Sequence, residues 1–252
     1  MFEGPRLKIK RANQHITTLD ESIKEFIKTD FCRFSTNYDP DSKLNSLDFQ
    51  MLRDPPCDLP LIIGDAIHNA RSALDIAQYE LVTLVGCTPT EWTRFMFFEN
   101  RDELIDKLGK GVLKGAPDIV TMIADEVRPY KTNDNPLVAL HLLDIADKHR
   151  LTIPVFGIAT LNHVDARATG PNLSMRLKDC TFRVDQGGVL QAIGVAGNLQ
   201  IENQGQPVFS VLFGKGQALE GQPILSRLHQ LSQLASGVID IFENTVTARE
   251  GP

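Results

Sequence analysis

"LIIGDAIHNARSALDIAQYEL", residues 61–81, decides how the rest of the chain is read. At about 100° per residue, Ile63, Ala66, Ile67, Ala70, Ala73, Leu74, Ala77, Leu81 and, just beyond the stretch, Leu84 fall on one broad arc. Asp65, His68, Asn69, Ser72, Asp75 and Tyr79 fall on the opposite arc, with Arg71 at its edge and Ile76 in its middle. This spacing predicts one long helix from about Leu59 to Val85, stopped at Gly86. Its polar arc is built of Asp, His, Asn and Ser rather than the long Lys and Glu residues that usually coat exposed helices. Such short, directional groups have no advantage in helix propensity, and they lose most on burial unless hydrogen-bonded. Three readings of the arc stay open: a solvated face, a buried network with Arg71 paired to Asp75 at i, i+4, or a ligand or catalytic site.

Working outward, Leu7, Ala12, Ile16, Leu19, Ile23, Phe26 and Ile27 predict an amphipathic helix over about 6–28. "FCRFSTNYDPDSK" and "LNSLDFQML" read as a hairpin, ended by the prolines of "DPP" at 54–56. "RFMFFEN" is a short apolar extended run, and Trp92, Phe95, Phe97 and Phe98 are expected in the core. Helices are predicted over 101–108, 117–127 and 136–148, the last preceded by the capping-rich "TNDN". From 151 to 216 the texture is that of a sheet, with short β-branched or alternating segments separated by Gly, Asn and Pro. Its clearest hairpin is "RVDQGGVLQ", where Gly187 and Gly188 supply a tight turn. A last helix, about 223–245, carries Ile224, Leu228, Leu231, Leu234, Val238, Ile241 and Phe242 at helical spacing. It cannot bury that stripe alone, so it is expected to pack back on the N-terminal helices.

A second constellation is "HLLDIADKHR", residues 141–150. His141, Asp144 and Lys148 share one helical face, with Asp147 to one side and His149 to the other. Cations in a last turn suit the exposed carbonyls there. The functional reading is that this turn sets a second group of charges opposite Asp65, His68 and Arg71.

A net charge of -6 argues against a wide surface for non-specific nucleic-acid binding, though not against a small cationic site. The one basic cluster, Arg6, Lys8, Lys10 and Arg11, reads as the solvated face of the first helix. The 4 cysteines are scattered without a C-x-x-C pair, as for free thiols in a reducing compartment. The opening "MFEGPRLKIKRANQHI" lacks the apolar core of a secretory leader, and no apolar run approaches the roughly 20 residues of a membrane span. The expectation is a cytoplasmic protein with no membrane partner. Asp65-x2-His68 alone is too little for a metal site, no phosphate-binding loop or nucleophile elbow is complete, and no cofactor or metal is expected.

The motifs "GDAIHNARSALD" and "DKHR" resemble those of an uncharacterised family of bacterial and phage proteins, over roughly residues 55–152; that resemblance implies no established activity. More remotely, Arg71 followed by the polar Ser72 on a bundle helix is similar to the HEPN motif. HEPN domains are helical, usually dimeric, and many are metal-independent ribonucleases whose Arg and His act on the scissile phosphate and the 2′-hydroxyl. Here Ile76 stands where that His belongs, which removes the proton-transfer group; His68 and His149 are the candidates to supply it from elsewhere.

The expected fold is therefore α+β: a mainly helical domain over 1–150 that includes the hairpin, an antiparallel β region over 151–216, and a C-terminal helix over 217–252 returning to the helical bundle. The expected function is that of a HEPN-like protein, RNA-linked or defence-related, acting as a homodimer on RNA or another anionic ligand. Arg71, His68 and His149 are the candidate catalytic residues. Asp65, Asn69, Ser72, Asp75, Asp144, Asp147 and Lys148 are the candidate binding residues. The alternative is a non-catalytic small-molecule or protein-binding module in which the Asp/His/Arg face is a structural polar network.

Overall fold

The computed structural model describes residues 1–41, 44–132, 135–149, 155–170, 173–183, 198–203 and 206–250. Most of them lie in helices. The order is α1 (Glu3–Ile27), β1 (Cys32–Asp39), β2 (Leu44–Met51), α2 (Leu59–Leu84), α3 (Arg101–Lys110), α4 (Pro117–Met122) running into a π turn (Ile123–Val127), α5 (Pro136–His149), β3 (Val155–Gly170), β4 (Leu173–Arg183), β5 (Asn198–Asn203), β6 (Gln206–Leu212) and α6 (Ile224–Glu250). None of the described helices is long and apolar enough to cross a membrane.

The chain divides into two compact units. The first comprises residues 1–19, 60–153 and 214–252, and its core is drawn from α1, α2, α6 and the short helices between. Ile63, Ala66, Ile67, Ala70, Ala73, Leu74, Ala77 and Leu81 of α2 are all buried, as the apolar arc requires. Leu84 is the departure, 38% exposed at the last helical position. The helix stops there because Gly86 takes φ +79°. Its N–H then bonds the Thr83 carbonyl at 3.1 Å and that of Cys87 the Val82 carbonyl at 3.0 Å, a Schellman closure that satisfies the last orphan carbonyls. On α1, Ala12, Ile16 and Leu19 are buried but Leu7 is 58% exposed; the buried line runs through Phe2 and Ile9 instead. On α6 the buried line is Ile224, Leu228, Leu231, Ala235, Val238, Ile239, Phe242 and Val246. Leu234 and Ile241, placed in the stripe by spacing, are only half-buried. Phe242 lies 6.4 Å, ring to ring, from both Phe2 and Phe95.

The connecting helices have local causes. Asn100 caps α3 by accepting from the Glu103 N–H at 2.9 Å. Asn135 precedes α5, accepting from the Leu137 N–H at 3.0 Å and donating to the carbonyls of Arg128 and Tyr130. The predicted helix 117–127 is α-helical only to Met122. It then widens into the π turn, and Arg128 closes it at φ 55° with its N–H on the Ile123 carbonyl.

The second unit comprises residues 20–59 and 154–213. β1 and β2 pair antiparallel, from Cys32 opposite Met51 to Asp39 opposite Leu44. This hairpin groups with β3–β6, not with the helices where the sequence reading put it. A two-stranded hairpin is marginal by itself, and here β1 adjoins β5 while the Phe31 and Phe26 rings lie 5.1 Å apart, tilted by 42°. β3 is the long central strand: β4 pairs along one edge, and β5 and β6 follow one another along the other, all antiparallel. The hairpin read in "RVDQGGVLQ" lies outside the described residues.

Candidate functional site

The polar arc of α2 splits into two sectors. Asp65 and Asn69 look toward α1: Asn69 donates to the Asp65 carbonyl at 2.8 Å and accepts from Lys8 at 3.3 Å, while His15 Nδ1 comes to 4.0 Å of Asp65. Asn69 is thus turned from the other candidates, while Asp65 stays close enough to Asp147 for its charge to be felt there. Ile76 also looks toward α1, its Cγ2 only 3.6 Å from where a side chain on Gly4 would begin. Within the basic cluster, Arg6 is paired with Asp240 at 2.8 Å and Glu243 at 2.5 Å, while Lys10 and Arg11 are exposed.

The other sector meets the 94–98 segment and α5. Arg71 is buried, 5% exposed. Its Nη1 donates to Asp75 Oδ1 at 2.5 Å and its Nη2 to the Phe95 carbonyl at 2.7 Å. Asp75 Oδ1 in turn accepts the Phe95 N–H at 2.9 Å. The segment is anchored again at Phe98, whose N–H bonds the Pro129 carbonyl and whose carbonyl accepts from Lys131 N–H. "RFMFFEN", read as an extended run, lies outside any helix or strand and is held by helix side chains and one isolated bridge, not by a sheet. Phe95 and Phe98 are buried; Trp92, expected in the core, is 75% exposed. Aromaticity alone predicted burial there, and nothing in the turn around Thr90 covers the ring.

Between this segment and α5 lies a cavity of about 370 Å³ lined by Arg71, Asp75, Arg94, Phe97, His141, Asp144 and Lys148, among others. The His141 imidazole stacks on Phe97 with centroids 4.4 Å apart and planes 8° from parallel, and the Arg71 guanidinium carbon is 5.2 Å from that ring's centroid. Arg71 Nε and His141 Nδ1 are both buried without a hydrogen-bond partner among the described residues. Burial first, and the Arg71 charge second, hold His141 below the ordinary histidine range, so the ring is neutral at neutral pH. A larger cavity, about 530 Å³, opens at the start of α5 against the 218–231 segment, but only Glu220 and Arg227 among its lining residues are charged, and it holds no histidine.

Asp144 is the hinge between cavity and exposed face. It is 3% exposed, takes the Lys148 ammonium on Oδ2 at 2.6 Å and faces His68 Nδ1 with Oδ1 at 3.2 Å. His68 Nε2 meets Ser72 Oγ at 3.3 Å. Asp147 packs where α5 crosses α2 at Gly64, so closely that a methyl group on Gly64 would overlap its carboxylate. Burial, then the charges of Asp144 and Asp65, push its carboxyl above the ordinary range. His149, at the last position of α5, is exposed and does not line the cavity.

Of the candidates, Arg71, Asp75, Asp144 and Lys148 therefore meet at the cavity, with His68 and Ser72 joined through Asp144. Sequence reasoning missed His141, Arg94 and Phe97. His141 carried a signal, sharing a helical face with Asp144 and Lys148. Arg94 and Phe97 carried none, since an irregular segment has no periodicity to read. Among the described residues no group of three or more His, Cys, Asp or Glu is arranged to hold a metal. No family model, no curated protein and no solved structure matches this chain.

Proposed function

We propose that the cavity between α2 and α5 binds a phosphate-bearing anion, with RNA as its polymeric form, in a HEPN-like α+β protein acting as a dimer. One observation carries the reading. Arg71 and His141, whose Nε and Nδ1 are buried and unpartnered among the described residues, line the same cavity as the exposed Arg94 and Lys148. A buried donor left unpaired costs about 1–3 kcal/mol, and a phosphate oxygen accepts such bonds in their stronger, charge-assisted form. The three cations there outnumber the two carboxylates, and both carboxylates already have partners within the fold.

In this reading His141, not His149, takes the part that Ile76 leaves vacant. A neutral imidazole can accept a proton from a hydroxyl, and its depressed pKa keeps it in that form. The test is fluorescence titration with inorganic phosphate and with labelled single-stranded RNA, in EDTA, alongside an RNA-cleavage assay. Binding of either ligand that weakens in Arg94→Ala supports the site; cleavage lost in His141→Gln adds catalysis to it. Failure of phosphate and RNA to bind at all sinks the proposal. The double hold of Arg71 and Asp75 on Phe95 favours a second reading, a structural network without a ligand.

A further inference from the structure

Beyond the phosphate reading, and independent of it, we propose that Ser72 is an activated serine that takes an acyl group from small esters, with His68 as its base and Asp144 as the group that orients His68. The three side chains stand in the order that serine nucleophiles require: Ser72 Oγ to His68 Nε2 3.3 Å, His68 Nδ1 to Asp144 Oδ1 3.2 Å. Such a constellation is recognised by geometry and roles, not by position in sequence or fold.

The tautomer follows from the partners. An ionised Asp144, paired through Oδ2 with Lys148, only accepts hydrogen bonds. The His68 proton therefore sits on Nδ1, leaving the Nε2 lone pair to accept from the Ser72 hydroxyl. The pieces are also held. Ser72 and His68 are i, i+4 neighbours on a helix whose opposite face is wholly buried near them, at Ala70, Ala73 and Leu74. Asp144 is itself buried. A helical serine more often bonds back to the carbonyl four residues earlier; here the hydroxyl meets the imidazole. The His68 side chain is 47% exposed, so a small ester can reach the pair from solvent.

The step is ordinary acyl transfer. Ser72 Oγ attacks the ester carbonyl, its proton passes to His68 Nε2, the Oγ–C bond forms, and the C–O bond to the leaving alcohol breaks. His68 then gives its proton to the departing oxygen or to water. α2 itself offers no backbone oxyanion hole, because its N–H groups at these positions belong to the helical ladder. Loss of even one oxyanion donor costs about 10²–10³ in rate in enzymes that have them. The inference is therefore stoichiometric acyl capture from activated esters, not rapid turnover.

The experiment is incubation of the full chain with p-nitrophenyl acetate, following p-nitrophenolate release and mapping the acetyl group by peptide mass spectrometry. The expected result is acetyl on Ser72, absent from Ser72→Ala and slowed about a hundredfold or more in His68→Gln. His68 is exposed enough for that variant to keep the fold, which its melting curve verifies. Acetyl found only on lysines or other histidines overturns the proposal, as does Ser72 acetylation at an undiminished rate in His68→Gln. Arg94 lines the cavity and is not one of the three acyl-transfer residues, so Ser72 acetylation in Arg94→Ala stays at the wild-type rate and each proposal fails separately.

Discussion

Arg71 and Asp75, one helical turn apart, together close both hydrogen-bonding groups of a single residue in another segment: Arg71 donates to the Phe95 carbonyl and Asp75 accepts the Phe95 N–H. They bond each other as well. An irregular segment packed against a helix cannot otherwise satisfy its backbone, and buried peptide groups are nearly always paired. The pair thus substitutes for a neighbouring strand and sets the Phe95 ring against Phe242 in the core.

Arg71→Ala is expected to destabilise the protein by about 1–3 kcal/mol, since it removes the donor to the buried Phe95 carbonyl while Asp75, 38% exposed, keeps its access to water. Arg71→Lys should recover little, since an ammonium lacks the planar fork that reaches two acceptors. Urea unfolding reads both. A midpoint unchanged in Arg71→Ala would mean the 94–98 segment does not depend on this clamp.

Arg94 is exposed and can be removed without that cost. With the proposed phosphate site, Arg94→Ala is expected to leave the melting temperature unchanged, to weaken RNA binding evenly across sequences, and to lower the salt slope of binding by about one. Binding isotherms over a salt series check this. An unaltered slope would put the phosphate contact elsewhere.

The long helices were legible because their periodicity is strong and their stops are local, as with Gly86 after α2. What a helical wheel cannot supply is what stands opposite each sector. The α2 polar arc read as one face, yet Asp65 and Asn69 answer to α1 while Arg71 and Asp75 answer to Phe95. For the same reason Ile76 looked like a lost catalytic position, although it faces Gly4. His141 was visible only as a companion of Asp144 until Phe97 came to rest on its ring. The π turn at Ile123–Val127 and the exposure of Trp92 follow from tertiary surroundings that spacing does not encode.

His141 gives a pH signature. Its folded pKa is depressed, chiefly by burial, so below the ordinary histidine value of about 6.5 the unfolded chain binds a proton that the folded chain does not. Stability then falls as pH drops from that value toward the folded pKa, and is unaffected above it. Urea unfolding at a series of pH values should show a steeper acid loss for wild type than for His141→Gln. Parallel curves would place the imidazole in water.

Asp147 runs the opposite way. Its folded pKa is raised, so its ionisation opposes folding once pH exceeds that value, and the opposition disappears below the unfolded carboxylate range. Asp147→Asn should therefore raise the melting temperature at neutral pH and have no effect in acid. Gly64→Ala should lower it, and less so when Asp147 is also alanine; additive effects would show that the two residues do not share the crossing of α2 and α5.

The Phe95 N–H ends on a carboxylate rather than on a peptide carbonyl, although it lies outside any sheet or helix. One amide in an irregular loop is thereby slowed toward hydrogen–deuterium exchange by a titratable side chain. Its nuclear magnetic resonance shift moves when Arg71 is drawn toward something in the cavity. A single backbone peak thus reports on the occupancy of the cavity without a label being placed in it.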